Sequence, residues 1–294
     1  MNILLLGAEG QLGRTLRGAL APLGPVTALG RAGVDLADAG ALRAVIRARR
    51  PAVIVNAAAY TAVDRAESEP VLAEAVNAVA PGVIGEEAAR LGAAVVHYST
   101  DYVFDGRKHG PYHEADPPGP LSVYGRTKWA GELALAAATP RHLVLRTSWV
   151  VGPHGRNFVK TMLRLAAERE TLQVVADQHG APTSTALLAA VTAQLLAQQQ
   201  AAADDAFPYG LYHVAPAGET TWHGLARWVI ADARRRSWPL RAGPEQVQAI
   251  TTADYPTPAH RPANSVLDTR RLARTFNLTL PAWQTGMAEI MERL

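Results

Sequence analysis

The chain contains no cysteine, which excludes disulfides, thiol catalysis and thiolate-bound metal, and suits a reducing compartment. Lysine is scarce as well: only Lys108, Lys128 and Lys160 occur among 29 basic residues, the rest being arginine. Aromatic residues make up 6% of the chain, and 26 acidic residues nearly balance the basic ones, leaving a formal net charge of +3. That excess is a weak field over 294 residues. The arginine clusters (Arg47, Arg49 and Arg50; Arg234 to Arg236) lie on helix-like stretches without interleaved aromatics. They read as solvated faces and not as a nucleic-acid surface. No apolar run approaches the ~18 residues of a membrane span. The opening Met-Asn-Ile-Leu-Leu-Leu-Gly lacks the basic leader and long apolar stretch of a signal peptide. A soluble, cytoplasmic protein with neither a membrane nor a nucleic-acid partner is expected. Apolar residues are plentiful, at 48%, enough for a sizeable core.

Through the first half, short apolar runs alternate with longer helical patterns. Residues 2–6, 26–29, 52–56, 93–99 and 142–146 read as buried strands, and 11–23, 39–49, 70–91 and 123–138 as helices. Strands that are apolar throughout and separated by helices belong to a parallel sheet covered on both faces. The expected fold is therefore α/β, a Rossmann-type doubly wound parallel sheet. Past about Val150 the rhythm loosens. Helices are expected at 157–168, 184–200, 221–236, 268–276 and 281–294, with a strand at 210–214. Polar, Gly- and Pro-punctuated loops occupy 177–183 and 256–264, and the Ala/Gln/Asp stretch 198–205 reads as a frayed helix end. This suggests a sheet domain over 1–150, with 171–200 returning to the sheet. A smaller, interleaved C-terminal lobe of helices and loops over 151–294 would sit at the sheet's C-terminal edge, where open α/β sheets bind ligands.

Gly7-Ala8-Glu9-Gly10-Gln11-Leu12-Gly13 follows a strand and opens a helix. Gly7 permits a sharp turn, Gly10 lets backbone N–H groups approach a pyrophosphate, and Gly13 allows close helix–strand packing. A bland tight turn could carry the same residues; the strand–turn–helix setting favours a dinucleotide site. The end of the second strand bears on which dinucleotide. A ribose-binding acid is expected about 20 residues beyond the loop, yet Gly30 and Arg31 stand there. A guanidinium pairs with a 2′-phosphate that an acid would repel, so NADPH is expected over NADH, through Arg31. An unremarkable surface arginine is the plainer alternative. Asp35 and Leu36 follow, placed to border the adenine.

Tyr124-Gly125-Arg126-Thr127-Lys128 puts a phenol and an ammonium four residues apart, on one helical face. A phenol with an ordinary pKa near ~10 exchanges a proton near neutrality only when a neighbouring cation stabilises its phenolate. Thr100, ending the fourth strand, can offer a hydroxyl to the same substrate oxygen. A Tyr-x-x-x-Lys pair is common as a surface pair. In a chain that otherwise uses arginine, however, a lysine marks a place where the planar guanidinium would not serve.

On these motifs the chain resembles the dTDP-4-dehydrorhamnose reductases, a family within the extended short-chain dehydrogenase/reductases. The matching segments are 7–13, 53–64, 66–69, 97–104, 123–128, 146–150, 157–163, 177–183 and 256–262. The resemblance implies NADPH-dependent reduction of the C4 ketone of dTDP-4-dehydro-β-L-rhamnose to dTDP-L-rhamnose. It implies Tyr124 as proton donor, with Lys128 holding the nicotinamide ribose and tuning Tyr124. Thr100 and Asp101 would contact the sugar, and Trp149 would bound its pocket. Gly10, Gln11 and Leu12 would meet the cofactor diphosphate, and Ala59, Tyr60, Thr61 and Tyr98 its inner half. Asn157, Lys160, Gln178 and Arg261 are implied as nucleotide or diphosphate contacts. Residues 1–150 would bind NADPH and 151–294 mainly the sugar nucleotide. Gly30-Arg31 departs from members that carry an acid and accept NADH. Some relatives dimerise through carboxylate-bound Mg2+; no clustered carboxylates place such a site here, so no metal ligand is assigned and Mg2+ and a homodimer stay open. Two other readings are weighed. A nucleotide-sugar epimerase or dehydratase would regenerate its cofactor within a turnover. A regulatory subunit of the methionine adenosyltransferase type would bind without turning over.

Overall fold

Four consecutive apolar residues make β1 (Ile3–Leu6) a strand that is satisfied only between two covering layers, and all four are buried. β3 (Val53–Asn56), β4 (Ala94–Thr100) and β5 (His142–Thr147) follow the same rule, while β2 (Val26–Leu29) is half-buried at an edge. Beyond β5 come the short strands β6 (Val150–Val151), β7 (Leu172–Val175), β8 (His179–Gly180) and β9 (Thr183–Ser184), then β10 (Gly210–His213), β11 (Thr220–Thr221) and β12 (Val247–Ile250). The computed structural model describes residues 1–203 and 206–294. Asp204 and Asp205, at the end of the expected linker-like stretch, lie outside the described residues.

The central sheet is parallel, in the order β2–β1–β3–β4–β5–β10. Its strands alternate sides with period two. Ile3, Leu5, Val53, Val55 and Val96 face α1 (Gln11–Leu20) and α8 (Thr185–Ala201), whose Leu12, Leu16, Leu188 and Leu195 complete that core. Leu4, Leu6, Ile54 and Val95 face the opposite helices, α2 (Ala39–Arg49), α5 (Ala80–Leu91) and α6 (Val123–Ala138). The register sets Leu6 beside Asn56, Asn56 beside His97 and Thr100 beside Thr147, so the strand ends that carry function lie together.

The helix expected over 70–91 is interrupted. After α3 (Val63–Ala66), α4 (Pro70–Glu74) runs into a π-helical segment, Ala75–Val79, before α5 begins. Pro81 supplies the reason: in a regular α-helix its ring would meet the Asn77 carbonyl, and it has no N–H to donate there. The wider turn puts Asn77 to use. Its side-chain oxygen accepts from Tyr60 N (2.9 Å) and its NH2 donates to Tyr60 O (3.0 Å), pinning the loop after β3.

The remaining helices are α7 (Phe158–Glu168), α9 (Trp222–Arg235), α10 (Arg270–Phe276) and α11 (Trp283–Met291). Val159, Leu163, Leu225, Val229, Met287 and Ile290 bind α7, α9 and α11 into a separate core. Residues 171–200, expected to return to the sheet, divide instead. β7 pairs with β12 outside the central sheet, whereas α8 packs on α1. The strand that joins the sheet is β10, because Tyr212 and Val214 add to the core that α10 closes with Leu272 and Phe276. No helix among the described residues is long and apolar enough to cross a membrane.

Candidate active site

From β1 the chain first steps outward to β2, then returns to β3 on the other side of β1. The loops leaving β1 and β3 diverge there and open a crevice at the C-terminal strand ends. Gly7 turns out of β1 with φ 78°, and a Cβ on it would lie 2.6 Å from Ala58 N. A Cβ on Gly13 would lie 2.1 Å from the Gly7 carbonyl oxygen. Both positions therefore require glycine, and α1 starts hard against the strand end. The α1 N-cap, Gly10, makes no side-chain capping bond, and the first turn carries no acid. The free N–H groups and positive end of the helix are thus turned to the crevice, a setting suited to a diphosphate.

The crevice opens into a cleft of about 690 Å³. Of the residues singled out from sequence, Gly7, Gly10, Gln11, Leu12, Arg31, Asp35, Leu36, Ala59, Tyr60, Thr61, Tyr98, Thr100, Asp101, Tyr124, Lys128 and Trp149 all line it, and Gly13 packs behind. Arg31 is at the mouth, its side chain 76% exposed, with Nη2 3.3 Å from Asp35 Oδ2. Such an exposed pair is weak, leaving the guanidinium available to an incoming phosphate. Tyr98 contributes its body only. Its hydroxyl is bonded to Thr192 Oγ1 at 2.6 Å, and burial holds its pKa above the ordinary phenol range.

Ser122 caps α6 by accepting from Gly125 N (3.1 Å), which sets Tyr124 and Lys128 on the cleft side one turn apart. The Tyr124 ring meets Tyr102 edge-on at 5.4 Å. Burial pushes the Tyr124 phenol up to about 12, with the neighbouring Thr100 hydroxyl pulling the other way. Lys128 is 1% exposed; burial lowers it to about 8, against the pull of Glu132. Its Nζ donates to the Tyr98 carbonyl (2.6 Å) and lies 3.2 Å from His97 Nε2. Thr100 Oγ1 donates to Asp101 Oδ1 (3.0 Å) and accepts from Tyr102 N (3.2 Å). Burial raises Asp101 to about 6, with the Ser265 and Thr100 hydroxyls holding it back. Asp101 Oδ2, Ser99 Oγ and Thr147 Oγ1 are buried at this end without a hydrogen-bond partner. Three orphaned polar atoms in one wall are costly unless a ligand's polar groups meet them.

Trp149 forms the far wall with φ 47°, a left-handed conformation strained for a bulky side chain. It stacks on Trp222, the first residue of α9, at 3.7 Å, and Trp222 was not singled out from sequence. Arg156 and Glu9 also line the cleft and were not singled out. Arg156 is next to Asn157 in sequence, and Glu9 lies within the glycine loop; only the fold turns them inward.

Four expected nucleotide contacts are not among the residues that line the cleft. Asn157 caps α7 and donates to Gln11 Oε1 (3.0 Å), bracing the glycine-loop helix. Lys160 Nζ donates to Pro153 O (2.6 Å), Gln178 Nε2 to Thr252 Oγ1 (3.0 Å), and Arg261 Nη2 to Asp64 Oδ2 (2.8 Å). Their partners lie on α1, α3 and the segments beside α7 and β12. Among the described residues, no group of three or more His, Asp or Glu side chains is placed to hold a metal ion.

A doubly wound sheet, a glycine turn at its switch point, and a Tyr-x-x-x-Lys pair with a strand-end hydroxyl in one cleft define a nicotinamide-dependent oxidoreductase of the short-chain dehydrogenase/reductase type. Comparison with known proteins narrows the class. The family model described as RmlD substrate binding domain matches residues 1–294. The dTDP-4-dehydrorhamnose reductase of Salmonella typhimurium is 47% identical over 298 aligned residues, covering 100% of this chain and 98% of the relative. That of Escherichia coli K12 is 46% identical with the same coverage. Among solved structures, the dTDP-4-dehydrorhamnose reductase of Bacillus anthracis in complex with NADP has a TM-score of 0.89 at 32% identity, covering 100% and 99% of the two chains. The Clostridium acetobutylicum enzyme gives 0.90 at 34%, with 99% of each chain covered. The chain belongs to the dTDP-4-dehydrorhamnose reductase family.

Proposed function

We propose that the protein reduces the C4 ketone of dTDP-4-dehydro-β-L-rhamnose with NADPH, giving dTDP-L-rhamnose. The observation that carries this reading is the convergence of Thr100, Tyr124 and Lys128 at the end of the cleft that the glycine loop opens. Gly10, Gln11 and Leu12 would hold the diphosphate on the α1 N-terminus. Asp35 and Leu36 would flank the adenine, Arg31 would take the 2′-phosphate, and Ala59, Tyr60, Thr61 and Tyr98 would border the nicotinamide half. The walls fit such a group: the glycine turn leaves room for it, and the uncapped helix end supplies donors. When bound, NADPH supplies the hydride that reaches C4.

Everything else falls to the chain's own residues. A carbonyl oxygen placed against Thr100 and Tyr124 would receive the phenol proton and, once the Thr100 hydroxyl turns from Asp101 Oδ1, a second hydrogen bond from Thr100. Tyr124 donates the proton. Its high pKa keeps the phenol protonated until then, and the Lys128 ammonium stabilises the phenolate left behind. Asp101 would take sugar hydroxyls on its free oxygen, and Trp149 would wall the sugar in. Asn157, Lys160, Gln178 and Arg261 would act through the segments they brace, with Arg156 at the wall itself. The sheet portion, 1–150, would thus carry the cofactor and most of 151–294 the sugar nucleotide.

The test is a coupled assay of purified protein with the ketosugar nucleotide, following NADPH absorbance. Stoichiometric, ketosugar-dependent oxidation of NADPH is expected. Turnover of the sugar without net oxidation would instead favour an epimerase or dehydratase. Tyr124→Phe should lower kcat about 10²- to 10⁴-fold, the usual contribution of general acid catalysis, while dTDP-rhamnose affinity stays within about twofold.

A further inference from the structure

One hydrogen bond behind Lys128 lies a histidine to which the reductase reading gives no role. His97, on β4, is 1% exposed. Its Nδ1 is 3.1 Å from Asn56 Nδ2 and its Nε2 is 3.2 Å from Lys128 Nζ. Counting hydrogens settles which groups donate. Asn56 Oδ1 accepts from the backbone N–H of Ala58 at 3.2 Å, and a backbone N–H can only donate. The oxygen is therefore on that side, and Asn56 turns its NH2 toward His97. An NH2 is likewise only a donor, so His97 Nδ1 must present a lone pair. A neutral imidazole then carries its proton on Nε2, and an imidazolium, with two donor nitrogens, does not fit. The Nε2–H points at Lys128 Nζ. An ammonium has no lone pair to receive it, whereas an amine has one. The other bond of Lys128, to the Tyr98 carbonyl at 2.6 Å, suits both forms.

We propose that Asn56 and His97 are positioning residues that bias Lys128 toward its neutral amine in the free enzyme, so that its charge appears when an anionic cofactor and substrate fill the cleft. The proton comes from solvent. Of the charged and titratable groups on the elements around Lys128, one opposes this bias. Glu132, one turn along α6, favours the ammonium, but Arg146 of β5 matches its charge through two bonds of 2.9 and 2.6 Å. Tyr124 on α6 is held protonated, burial raises Asp101 beyond β4 to about 6, and Asn56 on β3 carries no charge. Burial lowers Lys128 to about 8, and burial above all holds His97 well below its ordinary value. A lysine lowered to about 8 sheds its buried charge at a far milder pH than an exposed lysine does.

This inference rests on the reductase reading for its kinetic test. Asn56→Asp inverts the chain of donors. A carboxylate only accepts, so His97 would shift its proton to Nδ1 and offer Nε2 as an acceptor to the ammonium. His97→Gln lets a carboxamide oxygen turn to Lys128 with the same sign. The alkaline limb of kcat/KM reports the free-enzyme lysine. It should move upward by about one pH unit, a tenfold change in proton concentration, in Asn56→Asp and by less in His97→Gln. An unshifted limb in folded variants, whatever happens to kcat, overturns the proposal, because a merely structural role scales rates without moving the limb. Neutron diffraction from deuterated wild-type crystals, grown above the lysine's value of about 8, needs neither variant nor turnover. A deuteron on His97 Nε2, none on Nδ1, and two on Lys128 Nζ are expected. A deuteron on Nδ1, or three on Nζ, refutes it. Wild-type protein without ketosugar-dependent NADPH oxidation would fail the reductase reading and leave the deuteron positions to judge this one.

Discussion

Gly13 and Gly18 lie on the same helix, α1, and the same substitution should push them in opposite directions. A Cβ at Gly13 would meet the Gly7 carbonyl oxygen at 2.1 Å and Ala8 Cα at 2.8 Å. An ordinary C···O contact is about 3.3 Å or more, so the helix start must retreat by roughly 1 Å. The obstructing atoms are all backbone, in a turn already pressed against Ala58 on its far side. At Gly18 a Cβ meets nothing within 4 Å. Replacing glycine by alanine in a helix gains up to about 1 kcal/mol at either position. That gain cancels when the two variants are compared, and the difference isolates the cost of overpacking, about 1–3 kcal/mol. Urea denaturation should show Gly18→Ala slightly more stable than the parent and Gly13→Ala less stable than Gly18→Ala by that amount. The functional arm is sharper. Retreat of the helix start carries Gly10, Gln11 and Leu12 away from a bound diphosphate, so NADPH Kd should rise about tenfold or more in Gly13→Ala, as expected for donors displaced by roughly 1 Å. It should not change in Gly18→Ala. Equal stabilities, or unchanged NADPH affinity in Gly13→Ala, would refute the close-approach argument for this loop.

Other perturbations test separate parts of the structure. Arg31→Ala should lower kcat/KM for NADPH roughly tenfold, the scale of one exposed charge facing a dianionic phosphate, while NADH use is unchanged; a parallel loss with both cofactors would remove Arg31 as the selecting residue. Glu87, 1% exposed, is held by Arg43, Arg47 and Arg90 at 3.0, 2.7 and 3.2 Å. The Arg47 hydrogen bonds lead in lowering its carboxyl to about 2, against the cost of burial. A depressed acid stabilises the fold above its ordinary pKa of 4.5 and loses that contribution as pH falls through about 2. The urea midpoints of wild type and Glu87→Gln should therefore differ near neutrality and converge in that acid window; a gap that persists undiminished to pH 2 contradicts the assignment.

Much of the framework was legible in the chain because its signals are local. β1 is buried on both faces because four apolar residues run without a break, and the Gly7 to Gly13 spacing announces a strand–turn–helix that only glycine can make so tight. Tyr124 and Lys128 share a face by helical period alone, and the rarity of lysine pointed to Lys128 before any neighbour was known. Other features depended on residues far apart in sequence. Arg156, Trp222 and Glu9 reach the cleft through the way loops cross, which no period encodes. Asn157, Lys160, Gln178 and Arg261 are bonded to Gln11, Pro153, Thr252 and Asp64, pairings that no local pattern in the sequence names. The π-helical segment at Ala75–Val79 had a local cause in Pro81, but its use, gripping Tyr60 through Asn77, appeared only on folding. The protonation bias argued for Lys128 belongs to the same class. It depends on the register that sets Asn56 beside His97 and on the docking of α6 that brings Lys128 to them. Composition and period report what one segment prefers, whereas the direction of a donor and the burial of a charge are set by groups the chain brings together from elsewhere.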